Sequence, residues 1–173
     1  MLTLAALLSG LAFLVIVDFG VNAGVVHQGV TVDGFDVGGL TVEEAQSELR
    51  LRRSALREDA ICFTYEDFRD CILPNDVGWF PDVVSTAQEA FEVGRDGGPI
   101  AALGDRARAW TGAADVGWTS GPRNVLVTPL IRQWRSELKQ YGVKLNARRM
   151  REDIRSSIVT LPRDDVEFPL KEE

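Results

Sequence analysis

Between Val30 and Glu44 the chain is punctuated so closely that its local course is almost dictated. Val30 and Val32 alternate with Thr31 and Asp33, the period-two pattern that puts one apolar face of a strand against a core. Gly34 interrupts that strand as a bend or bulge, and Val37 resumes the apolar face. Gly38-Gly39 then supplies positions free to take positive φ, so the chain can reverse before Thr41. The Thr41 hydroxyl is placed to accept a hydrogen bond from the Glu44 N–H. Thr41 and Glu44 therefore form a capping box, with Leu40 and Ala45 at the positions of a hydrophobic staple. Glu43 and Glu44 suit the positive end of a helix dipole and Arg50, Arg52 and Arg53 the negative end, which predicts a helix from about Val42 to Arg53. The double glycine has two readings, a plain turn or a backbone that approaches a ligand closely.

The run Gly-Val-Thr-Val-Asp-Gly-Phe-Asp-Val-Gly-Gly-Leu-Thr-Val-Glu-Glu-Ala-Gln-Ser-Glu-Leu at residues 29–49 resembles the start of the peptidoglycan-binding domain of YoaR-like and VanW-family proteins. Asp76-Val77-Gly78-Trp79, Asp82, Thr86, Ala90 and Gly94-Arg95 are similar to that domain's second half, a strand leading into a helix that ends in Gly-Arg. The likeness covers about residues 18–110 and, more loosely, the rest. It implies an extracytoplasmic, non-catalytic domain that follows a membrane anchor and binds or senses peptidoglycan. In that family the domain precedes a VanW domain or an L,D-transpeptidase with a catalytic cysteine, and this chain stops before either would begin. A truncated N-terminal part of such an envelope enzyme is thus the alternative expectation, and an envelope protein–protein assembly domain is a third.

From Leu2 to Val17 there is no charge and almost no polarity, and the apolar character continues weakly to Val26. Residues 1–24 are expected to be a membrane-targeting segment, with residues 2–24 contacting the lipid. Cleaved signal and retained anchor both stay open, because Val21-Asn22-Ala23 offers a small-residue cleavage site. By the family likeness Asp18 sits where an uncleaved anchor emerges. The expected location is the plasma membrane, single-pass, with the bulk of the chain outside the cytoplasm.

The formal charge of −7 is uneven, −9 over residues 27–122 and +6 over residues 123–155. An acidic bulk disfavours a nucleic-acid partner. The basic segment reads as the solvent face of a helix pair, or as a contact for anionic lipid or wall polymer.

Cys62 and Cys71 test the compartment independently. Ile61, Phe63 and Tyr65 alternate as a strand, Glu66 to Asp70 is polar enough for a turn, and Cys71-Ile72-Leu73 runs back as a partner. The two cysteines then fall near opposite one another, where a cross-strand disulfide fits an oxidising location.

Farther along, Asp82 or Ser85 caps a second helix with a stripe of Ala87, Ala90, Phe91 and Gly94, which Gly97-Gly98-Pro99 ends. A short helical stretch is expected from Ile100 to Trp110, and Thr111 to Asn124 reads as a long loop. That loop suggests a boundary between a module at 27–110 and a second α+β segment at 111–173. Val125-Leu126-Val127 reads as a short strand, with Pro129 in the first turn of a helix whose apolar face is Leu130, Ile131, Trp134 and Leu138. Asn146 caps another helix bearing Met150, Ile154 and Ile158, and Val166, Phe168 and Leu170 alternate toward the end, where Pro169 confines the strand to an edge. Asp-Val-Gly-Trp occurs at 76–79 and at 115–118, which gives the second segment two readings, a degenerate copy of the first or the start of a truncated domain. The expected class is α+β, an N-terminal membrane helix followed by small strand–helix–hairpin–helix modules.

No catalytic constellation is expected. His27, the one histidine, reads as a solvated residue beside the apolar segment and leaves no second histidine for a metal site or a Ser-His-Asp relay. Two cysteines with no histidine nearby lack zinc-ligand spacing, and the carboxylate pair Asp164-Asp165 lacks a predicted cleft. No metal and no cofactor are expected. For a glycan or stem peptide, Trp79 and Trp118 are the candidate stacking platforms and Arg95 the candidate cation.

Overall fold

The computed structural model describes residues 24–95, 104, 108–109, 111 and 114–171. Among these residues the chain is α+β, with four α-helices and two three-stranded sheets. Leu2–Val17 and Gly97-Gly98-Pro99 lie outside the described residues, as does most of Ile100–Trp110, so the expected anchor and third helix fall outside them too. No described helix is long and apolar enough to cross a membrane. Two compact units divide the chain. One comprises Met1–Glu48 and Val84–Gly117, the other Leu49–Val83 and Trp118–Glu173, so both draw on chain from either side of residue 110.

In the first unit, β1 (Val30–Val32) and β2 (Phe35–Asp36) form a hairpin with Val32 opposite Phe35. Its two-residue turn is Asp33-Gly34, with φ of 44° and 75°, the positive pair that matches the twist of the flanking strands. The expected bend at Gly34 is thus a tight hairpin turn. Strand β5 (Ala114–Val116) lies parallel to β1 on its other side, in the middle of what reads as a loop. Asp115 fixes it there: its carboxylate accepts from the Thr31 hydroxyl at 2.5 Å and from the Gly34 N–H at 3.0 Å. Gly38-Gly39 packs against the preceding segment, where a Cβ on Gly38 would come 2.9 Å from the Gly29 nitrogen. The close approach that the double glycine permits is therefore to the chain itself, the backbone of Gln28-Gly29 at Gly38 and the Gln28 side chain at Gly39.

Helix α1 (Val42–Glu58) starts at the expected capping box: Glu44 N–H donates to the Thr41 hydroxyl at 3.2 Å, and Thr41 N–H to the Glu44 carboxylate at 2.9 Å. That bonding holds the Glu44 carboxyl below its usual range. The helix outruns its expected end at Arg53, because Ser54 to Glu58 contains no breaker and Leu56 continues the buried positions Ala45 and Leu49. Helix α2 (Val83–Glu92) begins directly after Asp82, with Ser85 inside its first turn, and buries Thr86, Ala87 and Ala90.

The second unit is built on β3 (Ile61–Tyr65), with β4 (Phe68–Ile72) antiparallel on one side and β6 (Val166–Glu167) parallel on the other. Cys62 stands directly opposite Cys71, and their sulfurs lie at bonding distance, 2.10 Å. That register sets Tyr65 opposite Phe68, so the turn needs only Glu66-Asp67 and not the five residues expected, with Glu66 at φ 52°. Replacing both cysteines with alanine frees a closed loop of about ten residues in the unfolded chain. It is expected to cost roughly 2–3 kcal/mol, read as a lower urea midpoint under non-reducing conditions. Wild-type protein unfolded without reductant should show no titratable thiol and, after reduction, two.

Helix α3 (Asn124–Leu138) absorbs the expected strand at Val125–Val127. Val127, Ile131, Trp134 and Leu138 are buried at helical spacing, whereas Val125 and Leu126 are exposed, so the apolar run is a first turn. Pro129 consequently sits inside the helix, one turn beyond the exposed Val125 whose carbonyl its missing N–H would have met. Helix α4 (Ala147–Val159) is capped as expected, with the Asn146 side chain accepting from the Arg149 N–H, and buries Met150, Ile154 and Ile158. The two Asp-Val-Gly-Trp copies have different structures, a 3-10 turn (Pro74–Val77) in the first and β5 in the second.

Candidate functional site

A groove of about 710 Å³ opens in the second unit where β3, β6 and α4 converge. Thr64, Tyr65 and Glu66 come from the end of β3 and its turn. Val166 and Glu167 come from β6, Phe168 to Leu170 from the segment after it, and Arg149 and Asp153 from α4.

Local chemistry explains the convergence. The Asn146 N–H donates to the Pro169 carbonyl at 2.7 Å and the Lys171 N–H to the Lys144 carbonyl at 2.8 Å, with Leu145 bridged to Leu170. The start of α4 is thereby tied to the segment after β6. Arg149 and Asp153 each precede a buried residue, Met150 and Ile154, and so lie one turn apart on the flank of the buried stripe. Below the groove Phe168 stacks on Phe68 at 5.5 Å and meets Phe63 at 5.7 Å and Trp134 at 5.3 Å, while Tyr65 meets Tyr141 edge-on at 5.9 Å.

Among the described residues that line it, the groove carries one cation, Arg149, and three carboxylates, Glu66, Asp153 and Glu167. Partial burial pushes the Asp153 carboxyl up; Arg149 opposes that and Glu152 adds to it. The Tyr141 hydroxyl is likewise raised, first by desolvation, then by its hydrogen bond to Asp67 and the charges of Asp67 and Glu66.

The residues singled out from sequence fall elsewhere. Trp79 and Trp118 do come together, edge to face at 5.8 Å, but they are 1% and 9% exposed, with their rings turned to protein. Arg95, in the first unit, lies over the Phe91 ring at 3.9 Å and donates to the Phe91 carbonyl and, at 2.6 Å, to that of Val25. His27 is buried, not solvated, because Val26 pairs with the backbone of Gly39 and Leu40 and draws its neighbour inward. Of the Asp164-Asp165 pair, Asp165 is held by Arg69 through two bonds of 3.0 Å.

Sequence reasoning missed Arg149 and Asp153, whose i, i+4 spacing beside a capped stripe is the one available signal. It also missed Arg163, whose side chain is 3% exposed. Its guanidinium donates to the carbonyls of Leu56 and Asp59 at the end of α1, and to those of Ser157 and Ile158 at the end of α4. Two sets of helix-terminal carbonyls are satisfied by one side chain.

Comparison with protein-family models, with curated proteins and with solved structures finds no match to this chain. Among the described residues no group of three or more His, Cys, Asp or Glu side chains is arranged to hold a metal ion.

Proposed function

We propose that this chain is a non-catalytic, extracytoplasmic module that binds peptidoglycan, held at the plasma membrane by residues 2–24. The observation that carries the reading is the open groove, in which the Tyr65 ring stands beside charges of both signs. A wall polymer built of sugars and charged peptides presents the complementary groups. The cysteine pair supports an oxidising compartment, and the likeness at residues 29–49 supports the ligand class. In this reading Trp79, Trp118 and Arg95 brace the fold and the groove meets the wall.

Purified sacculi should retain the protein after washing, and the full chain should fractionate with membranes. A protein that stays in the supernatant contradicts peptidoglycan binding. Release of soluble wall fragments during incubation contradicts the non-catalytic role.

A second reading, contact with another envelope protein, is favoured by the exposed apolar side chains of the second unit, Leu51, Leu73, Phe80, Val125 and Leu126 among the described residues. A photo-crosslinker replacing Phe80 should then capture one defined envelope protein in cells, and an unlinked chain speaks against it.

A further inference from the structure

We propose that the groove between β6 and α4 takes a short extended peptide whose end bears a carboxylate and a free side-chain amine, the carboxylate at Arg149 and the amine among Glu66, Asp153 and Glu167. The inference rests on the peptidoglycan reading and names its stem peptide, and not its glycan, as the bound part.

Charge selects the ligand. Three carboxylates against one guanidinium leave the groove with a surplus of negative charge. An anionic polymer meets three like charges there, and a neutral sugar, whose hydroxyls can hydrogen-bond these groups, brings no charge to balance the surplus. A peptide end with one carboxylate and an additional amine answers both signs. The guanidinium can hold the carboxylate in a two-bond fork, and the amine has three donors for the surrounding carboxylates.

Backbone geometry supplies the second argument. Strand β6 is the edge of its sheet, and the Phe168 N–H donates to the Thr64 carbonyl at 3.0 Å. Successive residues of a strand point their backbone groups to alternate sides, so the N–H and C=O of Glu167 face the open edge. Pro169, without an N–H, ends that edge two residues later. One residue of an extended peptide can therefore pair with Glu167 in the groove that Tyr65, Arg149 and Asp153 also line.

Full-length protein in detergent should be titrated with a synthetic tetrapeptide of the stem type containing lysine, with the same peptide acetylated on the lysine amine, and with a peptide-free glycan strand. The free-amine peptide is expected to bind, acetylation to weaken it at least tenfold, and the glycan not to compete. Arg149→Ala and Asp153→Asn should each weaken the free-amine peptide about tenfold, or about 1.4 kcal/mol, with the circular dichroism spectrum unchanged. Arg148→Ala, at an exposed residue paired with Glu152, should bind as wild type. Equal binding of the acetylated peptide overturns the inference, and because that comparison uses wild-type protein it stands even if a variant misfolds. Retention on sacculi without binding of the free peptide overturns this inference and leaves the peptidoglycan reading in place. Loss of both overturns both.

Discussion

Trp134→Ala is expected to lower stability by roughly 3–5 kcal/mol, the largest loss among single truncations in the second unit. Trp134 is fully buried on α3, with its ring 5.2 Å from Phe63 and 5.3 Å from Phe168, and its indole N–H donates to the Asp70 carboxylate at 2.5 Å. Alanine removes the ring from a packed aromatic group and leaves a half-buried carboxylate without that donor. In a chain of this size the melting temperature should fall on the order of 10 °C. Trp134→Phe separates the two contributions, since it keeps most of the packing and loses the donor, at a cost of roughly 1–3 kcal/mol. A loss below about 1 kcal/mol for Trp134→Ala would contradict the burial on which the argument stands.

The second large effect belongs to Arg163. Arg163→Ala should cost roughly 2–4 kcal/mol, because hydrogen bonds to a charged donor are the stronger kind and four backbone carbonyls lose theirs. Burial pushes the Arg163 guanidinium down, the Asp59 carboxylate 3.9 Å away pushes it up, and Arg52 adds to the downward shift. The side chain remains charged at any pH the fold survives. Lysine offers a point charge in place of a planar fork and cannot serve both helix ends, so Arg163→Lys should recover less than half of the loss. Amide exchange gives a local readout: protection should fall first in the last turns of α1 and α4. Uniform loss across the unit would mean that Arg163 only fills space.

What could be read from the chain beforehand was the part controlled by neighbours in sequence. The Thr41–Glu44 box, the Asn146 cap and the facing cysteines depend on residues within one turn or one hairpin, and the structure has all three. Val125–Val127 is ambiguous in the sequence because a three-residue apolar run fits a strand and a helical turn equally. Only the buried positions from Val127 to Leu138 decide between them. Strand β5 is hidden in the sequence because its stabilising partner, the Thr31 hydroxyl, comes 84 residues before Asp115 in the chain. The burial of His27 is illegible for a related reason, since it follows from backbone pairing with residues beyond the next turn. The groove was least legible of all. Its wall, floor and charges come from three separate stretches, and none carries a composition that marks a ligand site alone.

Both sheets close only with strands that are made late. The ribbon β1–β2 waits for Ala114–Val116, and β3–β4 waits for Val166 at the far end of the chain. During synthesis each ribbon therefore presents a bare flank to whatever strand comes near, its own or a stranger's. Only one of the two holds a covalent clasp, the bond between Cys62 and Cys71, that keeps its alignment through that interval. A cell that delays sulfur oxidation should accordingly accumulate entangled aggregates of newly made chains, while mature molecules already assembled persist.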